Sequence, residues 1–197
     1  MKIATKLYLL VGLLLALSVS VGGMGLLGMK TAVGGLETVY NDRVVPLRDL
    51  KDIADAYAVN IVDTTHKVRN NGMNPQEGLA SVEQAEKLIA ERWKAYLGTV
   101  LVDEEKKLVA EIEPRMKVAD LTVAKLKTLL RESKQDEIAT FAAQELYASI
   151  DPVSESFSRL VTVQLDVAKR EYEQDAAAYA GIRNTAIALI LAGLLAG

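Results

Sequence analysis

The chain has 197 residues, half of them hydrophobic but only 5% aromatic, and its formal net charge is −3. Between positions 30 and 183 there are 26 acidic and 21 basic residues, and this net charge of −5 argues against a nucleic-acid partner. The absence of cysteine excludes a disulfide framework and a thiolate metal site. Because Ala, Leu, Val, Glu and Lys dominate over aromatic residues, we predict an all-α fold.

The first apolar stretch, residues 7–29, has 23 residues without a charge and is preceded by Lys2 and Lys6. A helix of this length can cross a hydrocarbon core of about 30 Å. The alternative is a cleaved signal peptide, whose apolar region usually has about 7 to 15 residues, and "ALSVS" is a poor cleavage site. We therefore predict an uncleaved transmembrane helix over residues 7–29, with residues 1–6 in the cytoplasm.

A second apolar stretch, "NTAIALILAGLLAG", occupies residues 184–197. It is too short to cross a membrane, and an exposed apolar tail is unfavourable in water. We expect it to be the start of a second transmembrane helix that is truncated here, with its missing part leading back into the cytoplasm. Residues 30–183 are then expected to form an extracytoplasmic domain.

Hydrophobic periodicity and helix-breaking residues divide this domain into helices. The first is predicted over about residues 31–71, because "RNNGMNP" forms a strong stop after it. The second is predicted from Pro75 to about Leu101, and the third from an Asp103 cap to about Arg131.

A short helix is predicted next, within "ESKQDEIATFAAQELYASIDPVSE", before a fourth long helix. Asp151 and Pro152 are predicted to be the N-cap and the first residue of that fourth helix. Gln164 lies in its apolar stripe and is expected to form a hydrogen bond inside the bundle. Four helices joined by short loops predict an up-down-up-down antiparallel four-helix bundle standing on the membrane, preceded by a transmembrane helix.

Pro46 lies inside the first predicted helix of the domain, where a proline removes one hydrogen bond and costs about 3 kcal/mol. At 100° per residue, Pro46 shares one stripe of the helix with Val39, Leu50 and Ile53. We therefore predict that Pro46 faces the core and that the helix bends there.

Three motifs that suggest chemistry have simpler explanations. The segment Gly23–Gly28 matches G-x-G-x-x-G, but it follows no strand and lies in an apolar stretch, so a dinucleotide site is not expected. His66 is the only histidine and falls opposite the core stripe, so we expect it to be solvated rather than catalytic or zinc-binding. Glu104 and Glu105 are expected on a solvated helix face. We expect no enzyme activity, no metal and no cofactor.

The segment "YNDRVVPLRDLKDIADAYAVNIVDTTHKVRNN" contains Tyr-x-x-Arg-x-x-Pro-Leu, and "WKAYLGT" and "LVTVQLDVAKREY" follow it in order. With its two flanking apolar stretches, the whole chain resembles the four-helix-bundle sensor domain of bacterial methyl-accepting chemotaxis receptors. The resemblance implies a homodimer in the inner (cytoplasmic) membrane with residues 30–183 in the periplasm. It also implies signalling by a small shift of the last helix to cytoplasmic partners, which are reached through the missing C-terminal part.

In such receptors a small molecule binds near the membrane-distal end, and in the aspartate and serine receptors arginines of the first helix hold its carboxylates. Arg69 is the only arginine in the distal part of that helix here. Pro152 matches the proline at the start of the family's fourth helix, but Val153 replaces a ligand-holding threonine. We therefore expect an organic or aromatic acid rather than an amino acid. The candidate ligand-binding residues are Arg69, Lys67, Thr65, Asn60, Tyr147, Ser154, Ser156 and Phe157.

Other interpretations remain open at this point. The same bundle could belong to a sensor histidine kinase or a cyclic-nucleotide enzyme, or it could receive a ligand-loaded binding protein. It could also be a structural, membrane-anchored coiled coil, although a scaffold would continue its heptads through the polar distal end. Arg69 itself could be a solvated charge at the end of its helix.

Overall fold

The computed structural model describes residues 3–196, so Lys2, predicted to be cytoplasmic, lies outside the described residues. Two π-helical segments, Tyr40–Val44 and Ala56–Asp63, connect α1 to α2 and α2 to α3. The described residues contain no β-strand, which confirms the predicted all-α fold. The α-helices are α1 (Ile3–Val39), α2 (Val45–Asp55), α3 (Thr64–Arg69), α4 (Pro75–Leu97), α5 (Asp103–Arg131), α6 (Gln135–Gln144) and α7 (Leu146–Ala196).

The chain divides into two compact units. The first is the helical bundle of residues 41–167, which contains α2 to α6 and the first part of α7. A single apolar core runs through it, as a four-helix bundle requires. The core contains Leu50, Ile53, Tyr57, Ile61, Val68, Val82, Ile89, Trp93, Ile112, Val123, Leu126, Leu130, Phe141, Phe157 and Leu160.

The second unit comprises the chain up to Tyr40 and from Ala168 onwards. Many of its large apolar side chains are exposed, including Leu15 and Leu27 on α1 and Leu194 on α7. By length and composition, α1 and α7 each contain a stretch that is apolar enough to cross a membrane. The boundaries of the two membrane crossings stay predictions.

Pro46 is buried, as predicted, and a π-helical segment ends just before the helix that contains it. Proline cannot donate a backbone hydrogen bond to the carbonyl of Asp42, four residues earlier. That carbonyl instead accepts a hydrogen bond from Nη1 of Arg43 at 3.0 Å. The π-helical turn and the guanidinium together offset the cost of a proline inside a long helix.

The predicted stop after the first helix of the bundle is confirmed, and its cause is local. Asn71 has a positive φ of 59°, and the N–H of Gly72 donates to the carbonyl of Lys67 at 2.8 Å. The Asn74 side chain then accepts a hydrogen bond from the Glu77 N–H at 2.8 Å, and the Glu77 carboxylate accepts one from the Asn74 N–H at 3.4 Å. This capping box starts α4 at the predicted position.

Two predicted helix ends at the α4–α5 connection are wrong. The second helix ends at Leu97 rather than Leu101, because a glycine follows as its C-cap. Asp103 is the first residue of α5, not its N-cap; Val102 holds the cap position, and its N–H donates to the carboxylate of Glu105 at 2.8 Å. A side chain three residues into the helix therefore satisfies the terminal donor.

The predicted start of the fourth long helix is also wrong. Because α7 begins at Leu146, Asp151 is not an N-cap and Pro152 lies in the helix interior. Leu146 and Ile150 are fully buried, and burying such a side chain stabilises the fold by about 1.5 to 3 kcal/mol. Two of them offset the cost of about 3 kcal/mol for an interior proline, so packing decides where this helix begins.

A buried polar cluster lies at the α4–α5 connection. Glu105 is fully buried; its carboxylate accepts a hydrogen bond from the Tyr96 hydroxyl at 2.8 Å and lies 3.5 Å from Nη1 of Arg43. Burial raises the pKa of Tyr96, and the hydrogen bond to Glu105 acts in the same direction. The prediction that Glu105 lies on a solvated face is therefore wrong.

Gln164 is buried, as its place in the apolar stripe predicts. It lies close enough to Tyr96 to affect the pKa of that hydroxyl, but not in hydrogen-bond geometry. Within residues 3–196 neither atom of the Gln164 amide has a hydrogen-bond partner. The hydrogen bond expected from the sequence is not found.

Candidate ligand-binding site

The contact between α3 and α7 contains a histidine–tyrosine pair. Nε2 of His66 lies 2.7 Å from the Tyr147 hydroxyl, and the two rings are 5.7 Å apart. His66 is partly buried, and its Nδ1 has no hydrogen-bond partner among the described residues. The prediction that His66 is merely solvated is therefore wrong. Its partner Tyr147 is 81 residues away in sequence, so the contact could not be read from the periodicity of one helix.

The two basic candidates at the end of α3 differ in how their charges are satisfied. Lys67 forms an ion pair with Asp63, at 2.7 Å, one helical turn earlier. Nε of Arg69 donates to the neutral side chain of Asn70 at 3.1 Å. No carboxylate among residues 3–196 lies within 4.0 Å of the partly buried Arg69 guanidinium, so its charge is available to an anion.

The backbone at the end of α3 is held by a residue of α6. Nε2 of Gln135 donates to the carbonyls of Val68 and Arg69, at 2.7 and 2.9 Å. The Val68 carbonyl also accepts a hydrogen bond from the Asn71 N–H at 3.0 Å, and both carbonyls belong to the last turn of α3, where partners within the helix run out. Gln135 therefore satisfies them and fixes the position from which the Arg69 side chain extends.

Two polar candidates, Asn60 and Thr65, lie earlier in the same helical stretch, and their described hydrogen bonds are to protein groups. Thr65 is fully buried, and its hydroxyl donates to the carbonyl of Ile61 at 2.6 Å. Asn60 is partly buried, and its backbone carbonyl accepts a hydrogen bond from Ser81 at 3.3 Å. The Thr65 hydroxyl therefore donates to the preceding π-helical segment, whereas the side-chain amide of Asn60 has no described hydrogen bond.

Ser156 and Phe157 lie inside the bundle, away from the group on α3. The Ser156 hydroxyl accepts a hydrogen bond from Nη1 of Arg115 at 2.5 Å. Phe157 is fully buried, and its ring lies 5.5 Å from that of Trp93 and 6.2 Å from that of Tyr57. The residue predicted as an apolar wall of the site is thus part of the aromatic core.

Ser154 is partly buried, and its carbonyl accepts a hydrogen bond from Ser158 at 3.0 Å. Of the four candidates on α7, Tyr147 is the one with a described hydrogen bond to α3. The structure therefore brings Tyr147 into contact with His66 on α3, and it places Ser156 and Phe157 elsewhere, inside the bundle.

Arg115 was missed by the sequence analysis, although a signal for it exists. It lies three residues after Ile112 and four before Ala119, and both of these are fully buried. An arginine at that spacing lies beside the core stripe of α5. Its Nη1 also donates to the carbonyl of Pro152 at 3.2 Å, so it joins α5 to α7.

Within residues 3–196 there is no group of three or more histidine or acidic side chains that could hold a metal ion. The described polar groups are instead the His66 imidazole and the Arg69 guanidinium on α3 and the Tyr147 phenol on α7. This set can donate hydrogen bonds to a small anion.

Comparison with known proteins places this geometry in a family. Residues 1–179 match the family model described as a four helix bundle sensory module for signal transduction. The methyl-accepting chemotaxis protein NahY of Pseudomonas putida is 38% identical over 193 residues, which are 98% of this chain and 36% of NahY. The chain thus spans about a third of that relative's length. No solved structure matches it. The predicted resemblance is confirmed, and the chain belongs to the family of four-helix-bundle sensory modules for signal transduction.

Proposed function

We propose that this chain is the sensor region of a bacterial membrane chemoreceptor, which binds a small organic molecule outside the cell and signals to partners in the cytoplasm. The observation that carries the proposal is the continuity of α7, a single helix from Leu146 to Ala196. Its first part contributes Phe157 and Leu160 to the core of the bundle, and its last part is apolar. A displacement of its first part can be passed along one continuous helix, because helices transmit small rigid-body shifts.

We place the ligand site of this receptor at the α3–α7 contact, and we propose a small organic or aromatic carboxylic acid as its ligand. Arg69, three residues after His66 on α3, supplies an uncompensated charge, whereas Lys67 already neutralises Asp63. The His66–Tyr147 pair connects that part of α3 to α7, the helix proposed to carry the signal. A carboxylate held by Arg69 would therefore bind beside the contact that joins α3 to α7.

Replacing Arg69 by Ala is expected to weaken binding of the acid by about 2 to 4 kcal/mol, because truncating one member of a desolvated charge pair costs that much. This corresponds to a loss of affinity of about thirtyfold or more. The measurement is calorimetric titration of the 197-residue chain in lipid nanodiscs with a panel of small carboxylic acids.

Arg131→Ala is the matched control, since Arg131 is an exposed arginine at the end of α5 whose nearest carboxylate, that of Glu83, lies 3.6 Å away. Its effect on affinity should be within about 0.5 kcal/mol. Equal affinity of Arg69→Ala and the parent chain would remove Arg69 from the site. Absence of binding by every acid in the panel would instead favour a neutral ligand or a ligand-loaded binding protein.

We further propose that the receptor is a homodimer in the inner membrane with residues 30–183 in the periplasm. Lys51, Asp55 and Val59 are exposed and can each be replaced by a single cysteine. Because the chain has no cysteine of its own, all labelling and cross-linking then comes from the introduced residue. An impermeant maleimide is expected to label them in intact spheroplasts, and oxidation is expected to give a species of twice the monomer mass at one or more of the three positions. Labelling that requires lysis would contradict the topology, and a monomer at all three positions would contradict a dimer through this face.

A further inference from the structure

A cleft between α4 and α5 is separate from the site proposed above. Its volume is about 420 Å³, which is within the usual range for small-molecule sites. Tyr57 and Trp93 line it together with the aliphatic side chains of Ile89 and Val123. It shares no lining residue with the α3–α7 contact, and it can hold a single aromatic ring between aromatic and aliphatic walls.

The Tyr57 hydroxyl is a polar group inside this apolar lining. Tyr57 is 1% exposed, and its hydroxyl has no hydrogen-bond partner among residues 3–196. A buried hydroxyl without a partner loses its hydration without compensation. The oxygen has almost no accessible surface, so a ligand in the cleft contacts the Tyr57 ring rather than its hydroxyl.

Two carboxylates lie at the polar side of the cleft. Glu86 forms an ion pair with Lys127 at 2.6 Å, whereas Asp120, which is exposed at the edge of the cleft, has no basic side chain within 4.0 Å in the described part of the chain. Desolvation raises the pKa of Asp120, and the charge of Glu86 raises it further. A cation next to Asp120 would stabilise its charged form and lower this pKa. Lys94 also lines the cleft, and like Asp120 it is exposed, so both charges stay partly hydrated.

We propose that this cleft binds a small aromatic amine, with its ring against Trp93 and Tyr57 and its ammonium group paired with Asp120. An ammonium group is attracted both to a carboxylate and to the faces of aromatic rings. Residues 30–183 carry a net charge of −5, which also favours a cation over an anion. An aromatic acid of the same size would place its carboxylate against Asp120 and Glu86.

Trp93 is the only tryptophan of the chain, so its fluorescence reports occupancy of the cleft directly. The probe is phenethylamine, and 3-phenylpropionate serves as the matched acid, with the full chain in lipid nanodiscs. Phenethylamine is expected to change the emission saturably and to bind at least about tenfold more tightly than the acid, since one charge-assisted contact is worth about that factor. No saturable change with phenethylamine, or equal affinity for the acid, would overturn the proposal.

Asp120→Asn keeps the shape of the side chain and removes its charge, and it is expected to weaken phenethylamine binding about three- to fivefold, since the carboxylate is exposed and partly screened by solvent. Asp166→Asn, an exposed aspartate on α7, is the control and should leave the affinity unchanged. The melting temperature of Asp120→Asn should equal or exceed that of the parent at pH 7, because the raised pKa means that the charged form costs stability there. Unchanged affinity in Asp120→Asn would show that Asp120 does not pair with the ammonium group, and it would overturn the proposal.

A second pair of variants tests the location independently of charge. Ala90 is exposed and lines the cleft, so Ala90→Phe is expected to fill its opening and to abolish the fluorescence response. Ala95→Phe places the same side chain at an exposed position of α4 that does not line the cleft. A normal response in Ala90→Phe, or an equal loss in both variants, would contradict binding in this cleft.

Discussion

Replacing Glu105 by Ala is expected to destabilise the bundle by about 3 to 5 kcal/mol, because it removes one member of a buried charge pair. The carboxylate is fully buried and serves three donors at once, the Tyr96 hydroxyl, the Val102 N–H and the Arg43 guanidinium. The hydroxyl and the N–H lose this acceptor in a place from which water is largely excluded. The variant also removes the side chain that takes over the capping role at the start of α5.

The measurement is the thermal unfolding of the full chain, followed by circular dichroism. At about 2 to 4 °C per kcal/mol for a chain of this size, the melting temperature should fall by about 6 to 20 °C. Glu113→Ala is the matched control, since Glu113 is exposed on the same helix and should change stability by no more than about 0.5 kcal/mol. Equal melting temperatures for the two variants would show that the buried cluster adds nothing to stability.

Replacing Phe157 by Ala is expected to cost about 3 to 5 kcal/mol, since the change leaves a cavity in the aromatic core. The ring is fully buried and packs edge-on against Trp93 and at a tilt against Tyr57. The sequence predicts that Phe157 forms an apolar wall of the ligand site. Replacing a wall residue would mainly lower ligand affinity, whereas replacing a core residue lowers the stability of the bundle.

Leu165→Ala is the control for this variant, because Leu165 lies on the same helix and is 54% exposed. The melting temperature should fall by about 6 to 20 °C for Phe157→Ala and by at most a few degrees for Leu165→Ala. Emission of Trp93 should also shift in Phe157→Ala, since its edge-on neighbour is lost. A small stability change combined with a large loss of acid binding would return Phe157 to the ligand site.

Features that depend on neighbours in sequence could be predicted from the sequence. The 3.6-residue period identifies the buried faces of the bundle, including the inward position of Pro46. The end of α3 at Arg69 and the start of α4 at Pro75 are set by backbone conformation and by hydrogen bonds within a few residues. Composition and the two apolar stretches indicate an all-α protein with helices that can cross a membrane.

Tertiary structure alone decided which polar side chains meet. His66 and Tyr147 are 81 residues apart, and Arg115 and Ser156 are 41 apart, so their contacts depend on how far the helices slide and rotate against one another. The periodicity of one helix carries no information about that register. The same holds for the start of α7, where burial of Leu146 and Ile150 outweighs the local preference of Pro152 for a first turn. The sequence thus determined the helices and their buried faces, and packing between helices decided the partners of the charged and polar groups.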